Sequence, residues 1–124
     1  MSVVLIVEDN EKNMKLARDI LMAKGYQTLE AVTGEEGVKL AKEKQPDLIL
    51  MDIQLPGING IEAFKQIRAH TPTAKVPVVA VTASVTPTDR SEISAAGFDA
   101  FISKPINLKE FVDTVKRLVE AAGK

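Results

Sequence analysis

Each apolar run in this 124-residue chain stops on a group that can bind an ion or react. Residues 3–7 end at Glu8 and Asp9, residues 48–51 at Asp52, residues 76–81 at Thr82, and residues 98–103 at Lys104. In a parallel sheet the carboxyl ends of neighbouring strands share one edge. Three carboxylates, a hydroxyl and an ammonium then converge where the strand order reverses, the place where open α/β sheets put their chemistry. Asp52 closes a run of strand formers and is followed by the break at Pro56-Gly57. An Asp ahead of Pro-Gly is ordinarily a turn cap, but the recurrence of polar groups at the other strand ends makes Asp52 the first candidate for the functional atom.

Such a pocket is electrostatically crowded. Two carboxylates about 5 Å apart at an effective dielectric of about 20 repel by roughly 3 kcal/mol, and three acids make three such pairs. One lysine does not offset that. A hard divalent cation does, and a few carboxylates with open coordination positions suit Mg²⁺, which keeps waters and takes phosphate oxygens as further ligands; Mn²⁺ is the alternative ion. Glu8 and Asp9 are placed to hold the metal. With no cysteine, no Ser-His pair near these ends, and neither Gly-x-x-x-x-Gly-Lys nor Gly-x-Gly-x-x-Gly in the chain, the reacting group that remains is a carboxylate. An ionised Asp attacks phosphorus without needing a base, so Asp52 is the acceptor by location, with metal and lysine neutralising the oxygens of the transferring group.

The elements that must position these groups alternate regularly. Residues 3–7 and 48–51 are continuously apolar, which fits strands covered on both faces. Residues 26–31 are shorter and more polar, which suits an edge strand. Helices are signalled by Asn10 before Met14, Ala17 and Leu21 with Gly25 past the end, and by the Thr33-x-x-Glu36 capping box. Asn59-x-x-Glu62 starts a helix through Ile67, Thr86-Pro87 starts one reaching about Ala96, and Asn107-x-x-Glu110 starts one with an apolar stripe of Phe111, Val112, Val115, Leu118 and Val119. Asn10 reads as a cap or as a recognition residue on the rim of the acid pocket. Five strand–helix pairs imply a doubly wound α/β fold, a parallel sheet in the order 2-1-3-4-5 with helices on both faces.

Composition narrows the function classes. Residues 1–124 have the length of one domain, with 45% hydrophobic residues to form its core. Sixteen basic and 17 acidic residues leave a formal charge of −1, so the basic footprint of a nucleic-acid binder is missing. The first apolar run is too short for a signal sequence or a membrane span, and the expectation is a cytoplasmic protein without a membrane or nucleic-acid partner.

The residues just described resemble the receiver domains of two-component signalling, the response-regulator family. The resemblance covers essentially the whole chain and is carried by Glu8-Asp9, Asp52 with Pro56-Gly57 and Gly60, Thr82-Ala83 and Lys104-Pro105. The stretches Val7-Glu8-Asp9-Asn10 with Asn13-Met14, and 47–56, look like the short single-domain regulators of the DivK type. The resemblance implies a flavodoxin-like fold and direct ligation of Mg²⁺ by Asp9, Asp52 and the backbone carbonyl of Gln54, with Glu8 acting through water. It implies that Thr82 and Lys104 hold phosphoryl oxygens, that the Lys104-Pro105 bond is cis, that Gln54 and Ser84 tune hydrolysis, and that Phe101 is the switch aromatic paired with Thr82. Two departures matter: Glu8 stands where the family more often has Asp, and Phe101 lacks a tyrosine hydroxyl, which leaves burial to drive its inward turn.

The implied function is a phosphoacceptor switch, not a turnover enzyme. Asp52 takes its phosphoryl group from a sensor histidine kinase or a histidine phosphotransfer protein and loses it slowly by itself. An output protein reads the changed surface on the fourth helix, fifth strand and fifth helix, because no residues remain for an output domain. A phosphatase of the haloacid dehalogenase type also forms an aspartyl phosphate, but there the second acid lies two residues beyond the nucleophile, where this chain has Gln54. A flavin module on the same fold would set its phosphate against Glu8 and Asp9.

Overall fold

The computed structural model describes residues 2–83 and 87–122. Five parallel strands, β1 (Val3–Val7), β2 (Gln27–Ala31), β3 (Leu48–Asp52), β4 (Val78–Thr82) and β5 (Ala100–Ser103), lie in the order β2-β1-β3-β4-β5. They alternate with α1 (Glu11–Ala23), α2 (Gly34–Lys44), α3 (Gly60–Ala69), α4 (Pro87–Ala96) and α5 (Leu108–Ala122), with one 3-10 turn at Thr71–Thr73. This is the flavodoxin-like, doubly wound arrangement the alternation predicts, with β2 at an edge.

Successive side chains of a strand point to opposite faces, and here each face carries its own core. Val4, Ile6, Leu48, Leu50, Val79 and Val81 pack against Met14, Ala17 and Leu21 of α1 and Phe111 and Val115 of α5. Leu5, Val7, Ile49, Met51 and Val78 pack against Val38 and Ala41 of α2 and Ala63, Phe64 and Ile67 of α3. Burial on both sides explains why β1 and β3 read as continuous apolar runs. Register follows: Val7 lies beside Met51, Asp52 beside Val81, and Thr82 beside Ser103.

The helix starts are local and match their signals. Asn10, Thr33, Asn59 and Asn107 each accept, on the side-chain oxygen, the backbone N–H three residues on. The Glu36 carboxylate accepts from the Val32 N–H, one residue before the cap, in place of the Thr33 N–H that a capping box uses. The Thr86 cap lies outside the described residues.

Three strand starts differ from the sequence reading. β2 begins at Gln27, one residue late, because the Tyr26 N–H donates to the Leu21 carbonyl at the end of α1. β4 begins at Val78 because Pro77 has no N–H and the Val76 N–H donates to the Thr73 carbonyl. β5 begins at Ala100 because Phe98 stacks on Phe64 with ring centroids 4.1 Å apart. Asp99 turns its carboxylate back to accept from the Val78 N–H at 2.8 Å and from Arg68 at 2.7 Å.

Candidate functional site

The carboxyl ends of β1, β3 and β5 bring Glu8, Asp52 and Lys104 into contact. Glu8 follows β1 and stays tied to the sheet edge through its N–H to the Ala31 carbonyl at 2.9 Å. Asp52 is the last residue of β3, and Lys104 follows β5, its N–H donating to the Thr82 carbonyl at 2.8 Å. Glu8 and Asp52 are 5% and 4% exposed, whereas Asp9 lies at the surface. Burying two carboxylates side by side is costly unless they are paired and hydrogen-bonded, and every oxygen of both has a donor. Lys104 Nζ reaches Glu8 Oε1 at 2.7 Å and Asp52 Oδ2 at 3.1 Å. The Asn10 N–H donates to Glu8 Oε2 at 3.1 Å and the Gln54 N–H to Asp52 Oδ1 at 3.0 Å.

The donors do not balance the charge. Burial pushes the Glu8 carboxyl up to about 7; the Lys104 ammonium pulls it back, and the adjoining Asp52 carboxylate adds to the rise. Burial of Lys104 opposes its own charge, but the hydrogen bond to Glu8 and the charges of Asp52 and Glu8 outweigh it, so its ammonium is held above the ordinary lysine value. Burial is thus the chief cause of the rise at Glu8, with the neighbouring Asp52 carboxylate adding to it.

Glu8, Asp9 and Asp52 each offer a carboxylate oxygen, and these oxygens all lie within 4.8 Å of one another. All-oxygen donors, net negative charge and one open, exposed side at Asp9 fit a hard divalent cation of the Mg²⁺ kind. The donor set is a physical match to the metal the sequence implies.

The other residues singled out in the sequence lie around this centre. Thr82 is fully buried at the end of β4. Gln54 is exposed just beyond Asp52, beside a groove of ≈ 240 Å³ between α3 and α4 lined by Ile53, Asn59, Ile61, Thr82, Glu92 and Ile93. The Lys104-Pro105 bond is cis. Ser84 lies outside the described residues. Phe101 is already half-buried, with the Arg90 guanidinium of α4 over its ring at 5.3 Å from the centroid, so its outer face is covered by a cation and not by water alone.

Gly60 shows how tightly the loop after β3 wraps Asp52. A Cβ at Gly60 would stand 2.2 Å from the Asp52 carbonyl oxygen and 2.8 Å from the Ile53 Cα. Only glycine fits against that backbone, and the Gly60 N–H donates to the Ile53 carbonyl at 3.0 Å. Sequence reasoning missed Arg90 and Glu35. Arg90 has no local pattern to announce a contact with Phe101, and Glu35 reads as one of two first-turn acids of α2, although its carboxylate lies against Gly57 and accepts from the Ile58 N–H.

Comparison with known proteins agrees with this geometry. The chain is 48% identical over 113 residues to the polar-differentiation response regulator DivK of Brucella ovis, covering 91% of this chain and 92% of that protein, and equally similar to the DivK of Brucella melitensis. Among solved structures it superposes with a TM-score of 0.90 on the receiver domain of the sensor histidine kinase PA1611 from Pseudomonas aeruginosa PAO1, at 31% identity and covering 96% of this chain and 98% of that one. That receiver carries a magnesium ion coordinated in its active-site cleft. A CheY-like receiver domain protein from Methanospirillum hungatei JF-1 gives a TM-score of 0.89 at 27% identity over 99% of this chain and 97% of that chain. With residues 4–116 matching the model of the response regulator receiver domain, the chain belongs to that family of two-component signalling proteins.

Proposed function

We propose that this protein is a phosphoacceptor switch in a phosphorelay, in which Asp52 takes a phosphoryl group from a phosphohistidine on a sensor kinase or a histidine phosphotransfer protein. The observation that carries the proposal is the Asp52 carboxylate itself. It is buried at a strand end, oriented at both oxygens by Gln54 N–H and Lys104, and set within 4.8 Å of two further acids.

Transfer forms an O–P bond at Asp52 as the P–N bond of the phosphohistidine breaks, and the departing imidazole nitrogen takes its proton from water. Asp9, Asp52 and the Gln54 carbonyl would hold Mg²⁺, with Glu8 acting through water, and the ion would supply positive charge for the phosphoryl oxygens. Lys104 neutralises another of those oxygens once released from the Glu8 and Asp52 carboxylates it now contacts, and the Thr82 hydroxyl donates to a third. The chain is consumed as an acceptor and restored when water attacks phosphorus and releases inorganic phosphate. Gln54 lines the groove through which that water approaches, and Ser84 is its companion in tuning the rate. Because the acceptor is the protein itself, this is switching and not turnover.

The signal leaves through Thr82 and Phe101. A phosphoryl group adds charge and acceptor oxygens that draw the Thr82 hydroxyl inward. Phe101 turns further in, and the surface of α4, β5 and α5 is remodelled for an output protein. Incubating the protein with phosphoramidate and Mg²⁺, followed by intact-mass analysis, tests the reading. One phosphoryl group on the wild type and none on Asp52→Ala is the expected result. Incorporation that survives in Asp52→Ala, or multiple-turnover hydrolysis of unrelated phosphate esters, would overturn it.

A further inference from the structure

We infer that Glu35, on the first turn of α2, is a positioning residue for the phosphoacceptor loop. The inference rests on the role proposed for Asp52. Residues 53–59 leave β3 and return to α3, and both ends of this loop are bound to the acceptor: the Gln54 N–H donates to the Asp52 carboxylate, and Gly60 packs on the Asp52 carbonyl. The middle of the loop is seated on α2. Glu35 Oε2 accepts from the Ile58 N–H at 3.4 Å, and both Glu35 carboxylate oxygens lie 2.6 Å from where a Gly57 Cβ would be. The neighbouring Gly34 is closed in as well, since a Cβ there would meet Ile58 Cγ1 and its carbonyl oxygen at 2.6 Å.

Gly57 has φ +76°, so the loop passes through the left-handed region immediately before the amide that Glu35 holds. That conformation directs the Ile58 N–H toward α2. With the tie in place, the loop is closed at its middle as well as at its ends, and the Gln54 N–H and carbonyl keep one placement relative to the Asp52 carboxylate. Without it, the loop samples more conformers and the acceptor must be reoriented before each transfer, the entropy cost that positioning normally removes. Glu35 never touches the reacting atoms and acts through the loop alone. Since its carboxylate is exposed and the bond is long, the effect is modest, and loss of the tie slows transfer by about fivefold.

The test compares Glu35→Ala, Glu35→Gln and Glu36→Ala with the wild type. Glu36 shares the first turn of α2 but bonds the Val32 N–H, so it controls for damage to the helix start. Two quantities are read: the rate of phosphoryl uptake from phosphoramidate with Mg²⁺, and amide hydrogen exchange at Gln54 and Ile58 in the metal-free protein. Glu35→Ala should take up phosphoryl about fivefold more slowly and exchange faster at both amides. Glu35→Gln, which keeps an acceptor oxygen, should recover most of both, and Glu36→Ala should match the wild type in uptake. An unaltered rate and unaltered exchange in Glu35→Ala would overturn the inference, as would Glu35→Gln behaving like Glu35→Ala, which would assign the effect to charge. A wild type that takes up no phosphoryl group would sink the acceptor role instead, while exchange at Ile58 would still decide whether Glu35 orders the loop.

Discussion

Lys104 is held more closely by Glu8 than by Asp52: its Nζ lies 2.7 Å from Glu8 Oε1 and 3.1 Å from Asp52 Oδ2. Glu8 therefore does more than line the acid cluster: on the phosphoacceptor reading, it retains the lysine that transfer would need. The price is a carboxyl raised from 4.5 to about 7 by burial. Between those values the folded state binds more protons than the unfolded one, so stability falls as pH rises, by up to on the order of 3 kcal/mol for a shift of this size. The Lys104 contribution has the opposite placement. Raised above 10.5, it is fully present below that pH and is lost only as pH climbs through the folded value. Metal-free protein should melt at progressively lower temperature from pH 5 to pH 7.5, and Glu8→Gln should flatten the slope. A wild-type curve that rises over this range would contradict the assignment.

Relief of crowding should also be visible at fixed pH. Asp52→Asn keeps an acceptor for the Gln54 N–H but removes one of three clustered charges. At pH 7.5 in chelator it should melt above the wild type, at about 4 °C for each 1 kcal/mol relieved. Millimolar Mg²⁺ should raise the wild type and leave Asp52→Asn less affected. Thermal denaturation followed by circular dichroism at low salt gives all four values, and equal melting temperatures throughout would mean the acids do not repel appreciably.

Gly60→Ala places a methyl group into the Asp52 and Ile53 backbone. Backbone cannot move aside as a flexible side chain does, so the expected cost is about 1–3 kcal/mol of overpacking, together with loss of phosphoryl uptake as Asp52 is displaced. Gly25→Ala is the contrast: nothing lies within 4 Å, and only its φ of +89° is strained. It should destabilise less in urea unfolding and leave uptake intact.

The covered face of Phe101 makes a prediction about the output surface. A cation over the ring contributes about 0.5–1 kcal/mol at an exposed site, and the Arg90 guanidinium lies 5.3 Å from the centroid of the half-buried Phe101 ring. Phe101→Ala should accept phosphoryl yet lose the phosphorylation-dependent gain in partner affinity. Arg90→Ala should instead bind the partner about two- to fivefold more tightly without phosphorylation, because the inward turn no longer breaks a cation–π contact. Calorimetry of both variants, with and without a phosphoryl mimic, checks this; an Arg90→Ala protein indistinguishable from wild type would show that the ring is not restrained by the guanidinium.

What the sequence determined by itself is what local physics determines. An apolar run covered on both faces stops where a polar or charged group begins, so the strand ends at Glu8, Asp52, Thr82 and Lys104 were legible, and with them the sheet edge and its carboxylate cluster. Caps at Asn10, Thr33, Asn59 and Asn107 were legible because each bond spans only three residues. The tertiary structure decided the rest, since it depends on which distant groups arrive at the same place. Arg68 and Asp99, 31 residues apart, meet at 2.7 Å just ahead of β5. Glu35 reaches Ile58 across 23 residues, and Arg90 covers Phe101 from another element. Lys104 illustrates both: its place at the acid edge follows from the end of a strand, but its preference for Glu8 over Asp52 follows from side-chain reach and burial within the folded pocket, which no periodicity or spacing encodes.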